Sequence, residues 1–176
     1  MNIYTMENRL NIANKGTAEI VQVLSRKSET LAVINVEKDK DFQKIDVDLI
    51  WVYKYRGKVH TKFIEIKVDT YAQTGNYFIE TVSNEKKQTK GCLLYSKAHY
   101  LFYYFIETKE LNIIPMEKCR NWILANMNKF VEKKLKTQVG QDGYTSRGRL
   151  VPKKILNQSV PGVKTIFLTK YLNIAS

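Results

Sequence analysis

Two carboxylates and a lysine stand at spacings suited to phosphodiester chemistry. Asp48 precedes an apolar run, and Glu65 and Lys67 alternate with apolar residues in segment 63–68. Because side chains alternate along a β-strand, Glu65 and Lys67 project from one face of a predicted strand. Charges inside an apolar strand are costly to bury unless other ions compensate them. A metal cation and a phosphate group would supply that compensation.

A tight hairpin would bring Asp48 to the same place. Residues 46–55 and 61–68 predict two strands around a turn at residues 56–57. A two-residue turn there places Asp48 opposite Glu65, and opposed residues share one face of a sheet. A slip by one residue would separate the two carboxylates, so the prediction depends on this register.

Asp46 is a second candidate ligand, because the same register places it opposite Lys67. We prefer Asp48, since it opposes Glu65 and is followed directly by the apolar run 49–51. The alternative interpretation of Lys67 is a surface salt bridge across the two strands, to Asp46 or Asp48.

These residue types suit metal-assisted hydrolysis. Two carboxylates a few ångströms apart bind Mg²⁺ or Mn²⁺, and the backbone carbonyl of Ile66 would add a further oxygen ligand. Such a metal stabilises the charge of the transition state and lowers the pKa of a bound water. Lys67 would orient that water or hold the phosphate. We therefore predict Asp48, Glu65 and Lys67 as catalytic residues and Asp48, Glu65 and Ile66 as metal ligands.

The pattern of Asp48 followed by Glu65, Ile66 and Lys67 on the next strand resembles the signature of the PD-(D/E)xK nucleases. This superfamily includes restriction endonucleases, Holliday-junction resolvases, and phage and repair nucleases. The resemblance covers roughly residues 17–115 and implies an α-β-β-β-α-β core. It also implies that Glu19, on the preceding helix, is an additional metal ligand with a catalytic role. The sequence departs from the pattern at Val47, where many members have a proline.

Three further polar residues, Glu19, Glu80 and Gln73, each have a functional interpretation and a simpler structural one. Glu19 would also suit a solvated helix face. Glu80 would suit a further acidic ligand, although a solvent-facing strand position is more typical. Gln73 is predicted to contact phosphate or metal-bound water, and its alternative is an ordinary polar loop residue.

The order of predicted elements indicates an α/β (α+β) protein with a central mixed sheet flanked by helices, a restriction-endonuclease-like core. We expect a helix at residues 7–26 with a break at 14–16, a strand at 30–36, the hairpin, a strand at 77–82, a second hairpin at 99–115, a helix at 116–135, a loop at 138–148, a short helix at 150–156 and a strand at 163–169. We divide the chain into a nuclease core, residues 1–136, and a basic C-terminal extension, residues 137–176, packed on that core.

The formal net charge of +12 indicates an anionic partner, and nucleic acid is the commonest one. The alternative is that the richness in lysine reflects genome composition. Predicted nucleic-acid contacts are Gln73, Lys86, Lys87, Lys90, Tyr144, Arg147, Arg149, Lys153 and Lys154. We expect DNA as the substrate. An RNA-processing nuclease with the same site, or a non-catalytic nucleic-acid-binding module with the same fold, are the alternatives.

Several other properties follow as expectations. No run of about 18 apolar residues is present, so no membrane span is predicted. The N-terminus lacks the pattern of a signal peptide, which favours the cytoplasm, or the host cytoplasm for a viral protein. Cys92 and Cys119 are expected to be reduced thiols. A junction-selective, homing or phage-type endonuclease suits the size, and cutting both strands would favour a homodimer.

Overall fold

A six-stranded mixed sheet forms the centre of the computed structural model, which describes residues 6–139 and 142–172. Its strand order is β1-β2-β3-β6-β7-β10, with β3 and β6 parallel and every other neighbouring pair antiparallel. The strands are β1 (Thr30–Asn35), β2 (Leu49–Tyr55), β3 (Lys58–Asp69), β6 (Tyr100–Phe105), β7 (Glu110–Pro115) and β10 (Lys164–Phe167).

A second, antiparallel sheet has the order β5-β4-β9-β8. Its strands are β4 (Asn76–Asn84), β5 (Thr89–Lys90), β8 (Val131–Val139) and β9 (Asp142–Pro152). The helices are α1 (Met6–Ser25), α2 (Lys40–Lys44), α3 (Cys92–Tyr95), α4 (Met116–Asn126), α5 (Lys153–Ser159) and α6 (Thr169–Leu172), with 3₁₀ turns at Ala72–Thr74 and Met127–Lys129. The predicted class, α+β with a central mixed sheet flanked by helices, is confirmed.

The two faces of the central sheet are covered by different elements. One face packs Leu49, Ile64 and Tyr104 against Ile20 and Val23 of α1. The residues that alternate with these strand positions face a second core, which is built from the central sheet together with β4, β9, α3, α4 and α5. Glu65 and Lys67 alternate with Ile64 and therefore lie on the face away from α1.

The hairpin between β2 and β3 has the predicted register. Tyr55 pairs with Lys58, and Leu49 pairs with Ile64 at the other end of the ladder. Both turn residues have positive φ, 49° at Arg56 and 76° at Gly57, as a two-residue hairpin turn that follows the twist of the strands requires. The expected position of Asp48 opposite Glu65 depends on this register.

Helix α1 runs without the break that we expected at residues 14–16. Gly16 is buried, and a Cβ there would lie 2.5 Å from a methyl of Val68 and 3.3 Å from the ring of Tyr104. This glycine therefore allows the helix to approach the sheet closely and does not end it. None of the helices in the described ranges is both long enough and apolar enough to span a membrane.

The predictions for the C-terminal part were wrong in two places. The helix predicted to reach residue 135 ends at Asn126, and β8 begins at Val131. The loop predicted at residues 138–148 mostly belongs to a long hairpin, in which β9 pairs with both β8 and β4. Pairing across three strands outweighs the local preferences of a Lys- and Glu-rich segment and of a Gly-rich one. The proposed boundary between residues 136 and 137 lies inside β8.

Gly91 sets the distance between α3 and β4. Its φ of −73° is open to any residue, but a Cβ would lie 2.0 Å from the carbonyl oxygen of Glu80. The Gly91 N–H also donates to the carbonyl of Thr81, at 2.9 Å. The glycine is therefore required for space, and it holds the start of α3 against β4.

We predict that Gly91→Ala destabilises the fold by about 1–3 kcal/mol, because the backbone of β4 has to move to relieve the clash. Urea denaturation of the purified variant measures the loss. Gly57→Asn serves as the control, since the turn is open and asparagine tolerates positive φ. A Gly91→Ala variant as stable as the wild type would contradict the close approach of α3 to β4.

Candidate active site

Asp48 lies at the start of β2, where the backbone of β3 holds it. Its N–H donates to the carbonyl of Ile64 at 2.9 Å, and its Oδ2 accepts from the N–H of Ile66 at 2.7 Å. These two bonds clamp Asp48 across from Glu65, the residue between Ile64 and Ile66. The backbone groups of the two residues that flank Glu65 therefore fix the position of Asp48.

The side chains of Asp48 and Glu65 are close enough to interact, and this interaction lowers the pKa of Asp48 and raises that of Glu65. Burial raises the pKa of Asp48 to about 6, and the hydrogen bond from Ile66 opposes this rise. Burial also raises the pKa of Glu65 well above its ordinary value, and the charges of Asp48 and Asp46 add to the effect. The pair holds a proton because two close, buried carboxylates resist being ionised together.

Asp46 reaches the same pair from outside the strand. Its backbone has φ of 56°, a left-handed conformation that aspartate tolerates better than most residues. The Tyr95 hydroxyl donates to its Oδ1 at 3.1 Å, and the Ser96 hydroxyl donates to its carbonyl at 2.8 Å. Burial raises the pKa of Asp46. We call Asp46, Asp48 and Glu65 the carboxylate cluster.

Cys92, the first residue of α3, borders the carboxylate cluster. Its Sγ, a carboxylate oxygen of Asp46 and one of Glu65 all lie within 4.8 Å of one another, a grouping that could hold a metal ion. Burial raises the pKa of the Cys92 thiol, and the Glu65 charge adds to this rise. Glu80 on β4 is close enough to add to the rise in the pKa of Asp46.

Two oxygens of the carboxylate cluster are buried without a hydrogen-bond partner among the described residues. They are Oδ2 of Asp46 and Oε2 of Glu65, and the Glu65 residue is only 9% exposed. A buried acceptor that lacks a donor is costly, so such atoms call for an explanation. A bound cation would supply a partner for a buried carboxylate oxygen, and the set of carboxylates therefore fits a divalent metal.

Lys67 lies on the same face of β3, two residues beyond Glu65. Its positive charge lowers the pKa values of Asp46 and Glu65. Within the described ranges no carboxylate lies at ion-pair distance from its Nζ. The cross-strand salt bridge considered as the alternative for Lys67 is therefore not formed. The half-buried lysine therefore lies beside the carboxylate cluster without an ion pair to a described carboxylate.

Glu19 does not join the carboxylate cluster. It lies on α1, on the other face of the sheet, where its carboxylate accepts from the Tyr104 hydroxyl and pairs with Lys109 at 2.7 Å. Glu19 is thus engaged in a structural ion pair. The alternation that points Ile64 toward α1 and Glu65 away from it separates the two glutamates.

Two openings border the cluster. A narrow cavity of about 10 Å³, room for about one water, is lined by Lys67, Glu80, Cys92 and Tyr103, among others. An open groove of about 420 Å³ runs past Tyr95 and is lined by Ser83, Thr89 and Lys90. Tyr95 lines this groove and also donates a hydrogen bond to Asp46, so one residue links the groove to the carboxylate cluster.

The predicted nucleic-acid contacts fall into two groups. Lys90 lines the groove, and the exposed Lys86 and Lys87 lie in the turn between β4 and β5, while Gln73 and Lys154 are exposed elsewhere. The others lie on β9 or α5 and are partly engaged. Arg147 pairs with Glu85 and Glu132, Arg149 pairs with Glu132 at 3.0 Å, Lys153 pairs with Glu110 at 2.8 Å, and Tyr144 is half-buried.

Sequence reasoning missed Tyr95 and Cys92. Both come from the connection between β3 and β6, which folds back across the strand that carries Glu65. A short apolar segment, residues 92–95, carries no local sign that it will lie against carboxylates. The one signal in the sequence was the glycine at position 91, which permits a close approach of two backbone segments.

We predict that Asp48→Asn stabilises the metal-free protein at neutral pH. Asparagine keeps an oxygen to accept from Ile66 and removes a buried charge. A folded-state pKa of about 6, against the ordinary 3.8, means that the folded protein binds a proton which the unfolded chain releases. Wild-type stability from this group therefore falls as pH rises from about 4 to 6, by about 3 kcal/mol.

Thermal and urea unfolding in a metal chelator, at several pH values between 4 and 7, measures this difference. The variant and the wild type should be similar at pH 4 and diverge as the pH rises. Glu107→Gln, at an exposed turn position, is the matched control and should show no such divergence. A difference that does not depend on pH would contradict the shared proton.

Comparison with known proteins finds a solved structure that is similar to this chain. It is described as the structure of D212, a nuclease from a fusselovirus, and it is 15% identical to this chain. The match covers 92% of this chain and 96% of that one, with a TM-score of 0.40. No protein-family model matches the chain, and no curated protein matches it.

Proposed function

We propose that the protein is a metal-dependent endonuclease that hydrolyses phosphodiester bonds in DNA, with Asp48, Glu65 and Lys67 as its catalytic residues. The observation that best supports this proposal is the set of buried oxygens in the carboxylate cluster that have no hydrogen-bond partner among the described residues, next to a lysine that has no ion pair with any of them. A carboxylate pair that binds a cation and an ammonium that binds a phosphate are complementary to a metal-bound phosphodiester.

In this proposal Asp48, Glu65 and the main-chain carbonyl of Ile66 hold Mg²⁺ or Mn²⁺, both of which accept oxygen ligands. Asp46 adds a further carboxylate, positioned by Tyr95. Once bound, the metal would supply charge stabilisation at the phosphate and a more acidic water. The metal ligands must give up the proton that Asp48 and Glu65 share, so metal binding would release it to solvent.

Lys67 supplies the remaining charge. The Nζ of Lys67 would donate to a non-bridging phosphate oxygen or to the attacking water and so hold the reacting groups in place. Its position two residues after Glu65 on the same face makes this contact compatible with a phosphate bound at the carboxylate cluster. Glu19, which pairs with Lys109 on the other face, is left out of the proposed site.

The open groove beside Tyr95 is the proposed approach for the nucleic acid. Lys90 lines it, and the exposed Lys86 and Lys87 lie in the turn between β4 and β5, four and three residues before Lys90. Lysines placed along a groove neutralise phosphates without regard to sequence. We assign Gln73, Tyr144, Arg147, Arg149, Lys153 and Lys154 to weaker contacts, since several of them already hold ion pairs. Cleavage of both strands would favour a homodimer.

Cleavage of labelled substrates in Mg²⁺ or Mn²⁺ tests the proposal directly. The panel comprises duplex DNA, single-stranded DNA, a flap, a four-way junction and RNA. We expect cutting of DNA that a chelator abolishes, and a loss of at least about a hundredfold in Glu65→Gln and in Lys67→Met, the scale on which removal of one electrostatic contact acts.

The controls are Glu117→Gln and Lys58→Met, which remove the same chemical groups at exposed positions away from the cluster. Both should cut as the wild type does. A wild type that binds these substrates but cuts none in either metal would overturn the enzyme proposal in favour of a binding module. Cleavage of RNA in preference to DNA would instead indicate that the protein is an RNA-processing nuclease.

We also predict that the lysines at the groove and its adjoining turn determine the affinity of the protein for nucleic acid. Replacing Lys86, Lys87 and Lys90 together by alanine should weaken binding to every sequence. It should also lower the slope of log affinity against log salt by about one for each phosphate that the protein no longer neutralises. Fluorescence anisotropy at several salt concentrations measures both quantities.

A variant with the same loss of charge controls for net charge alone. It replaces three exposed basic residues at the β2–β3 hairpin, namely Lys54, Arg56 and Lys58. This variant should keep most of the affinity. Equal losses of affinity in the two variants would show that binding depends on the net charge of the protein. The groove would then no longer be assigned as the binding surface.

A further inference from the structure

The structure places one sulfur atom among the oxygens of the carboxylate cluster. Sγ of Cys92 and carboxylate oxygens of Asp46 and Glu65 lie within 4.8 Å of one another. Cys92 is a free cysteine. Mg²⁺ takes oxygen ligands, whereas Zn²⁺ accepts sulfur and oxygen together. This donor set therefore differs in kind from one that serves Mg²⁺ alone.

A second, independent observation points to a ligand at the same place. Glu65 is 9% exposed, and its Oε2 has no hydrogen-bond partner among the described residues. Oδ2 of Asp46 is also buried without a hydrogen-bond partner among those residues. Both unpartnered oxygens belong to residues of the triplet that includes Cys92. The residues that carry unsatisfied acceptors are therefore the same ones whose ligand atoms group with the sulfur.

The backbone around Cys92 is held on both sides. Gly91 packs against the carbonyl of Glu80, and the Ser96 N–H donates to the carbonyl of Cys92 at 2.9 Å. Arg120 on α4 donates to the carbonyls of Leu93, at 2.6 Å, and of Ser96. A ligand carried on a fixed backbone loses little conformational entropy when it binds a metal.

Charge balance also favours a cation. Asp46, Asp48, Glu65 and Glu80 influence one another or Cys92 electrostatically, and Lys67 is the basic residue among them. Even with one proton held by Asp48 and Glu65, three carboxylates against one ammonium leave a surplus of negative charge that a divalent ion would reduce.

We propose that Asp46, Glu65 and Cys92 form a mixed oxygen–sulfur site for a thiophilic divalent cation, Zn²⁺. Three protein ligands leave one coordination position open for water or a substrate atom. Glu65 belongs both to this site and to the proposed Mg²⁺ site, so the two ions compete. The inference goes beyond the proposed function and concerns metal binding alone, whether or not the cluster hydrolyses nucleic acid.

Cadmium serves as the spectroscopic probe, because a thiolate bound to Cd²⁺ absorbs in the ultraviolet. Titration of the metal-free protein should give a saturable absorbance band at one Cd²⁺ per chain. Cys92→Ser should abolish the band, and Cys119→Ser should keep it, since Cys119 lies fully buried in the core around α4. Added Zn²⁺ should displace Cd²⁺ and remove the band.

Zn²⁺ affinity, measured by competition with a chromophoric chelator, should fall at least about tenfold in Cys92→Ser and in Glu65→Gln, the scale on which a lost metal-site partner acts. Circular dichroism of the metal-free variants shows that each is folded before titration. A band that survives in Cys92→Ser, or equal Zn²⁺ affinity in that variant and the wild type, would overturn the inference. Mg²⁺-dependent cleavage by Cys92→Ser would leave the proposed function intact in that case.

Discussion

Burial of carboxylates on one face of β3 is the constraint on which the site depends. The strand has to place Ile64 against α1, and the pleat then points Glu65 into the opposite interior. Burial and the neighbouring charges raise the pKa of Glu65, and two carboxylate oxygens have no hydrogen-bond donor among the described residues. The fold thus holds these groups in a state that a bound cation would improve. Such local instability is typical of sites that are arranged for function and not for stability.

The two faces of the sheet use charge in different ways. On the α1 face, Glu19 is paired with Lys109 and bonded to Tyr104, so its charge is neutralised within the protein. On the opposite face, Lys67 has no ion-pair partner among the described residues, and the carboxylates repel one another. Paired charges stabilise the packing of the fold. Unpaired carboxylates can instead bind a cation such as a metal ion, and an unpaired lysine can bind an anion such as a phosphate.

Much of the central sheet could be predicted from the sequence because its signals are local. The β2–β3 hairpin is encoded by strand alternation and by a turn that accommodates positive φ, and the pairing of Asp48 with Glu65 follows from that register. The place of Glu19 could not be predicted, because it depends on which side of the sheet α1 packs. Asp46 was predicted to continue the strand, but it lies before β2 and reaches the cluster through contacts with Tyr95 and Ser96. The first part of β8, residues 131–135, was predicted as helix, because the place of this segment in a sheet depends on pairing with β9 and not on its own residues.

The chain between β3 and β6 has a further consequence. These two strands are parallel neighbours, and a parallel pair requires a long connection. Residues 70–99 form that connection, and they carry β4, β5 and α3, which together cover the carboxylates. The sheet and the segment that covers its carboxylates can therefore vary independently. Sequence changes within residues 70–99 could alter which molecules reach Glu65 while every hydrogen bond between β3 and β6 is kept. Related chains would then be expected to share the sheet and to differ in selectivity.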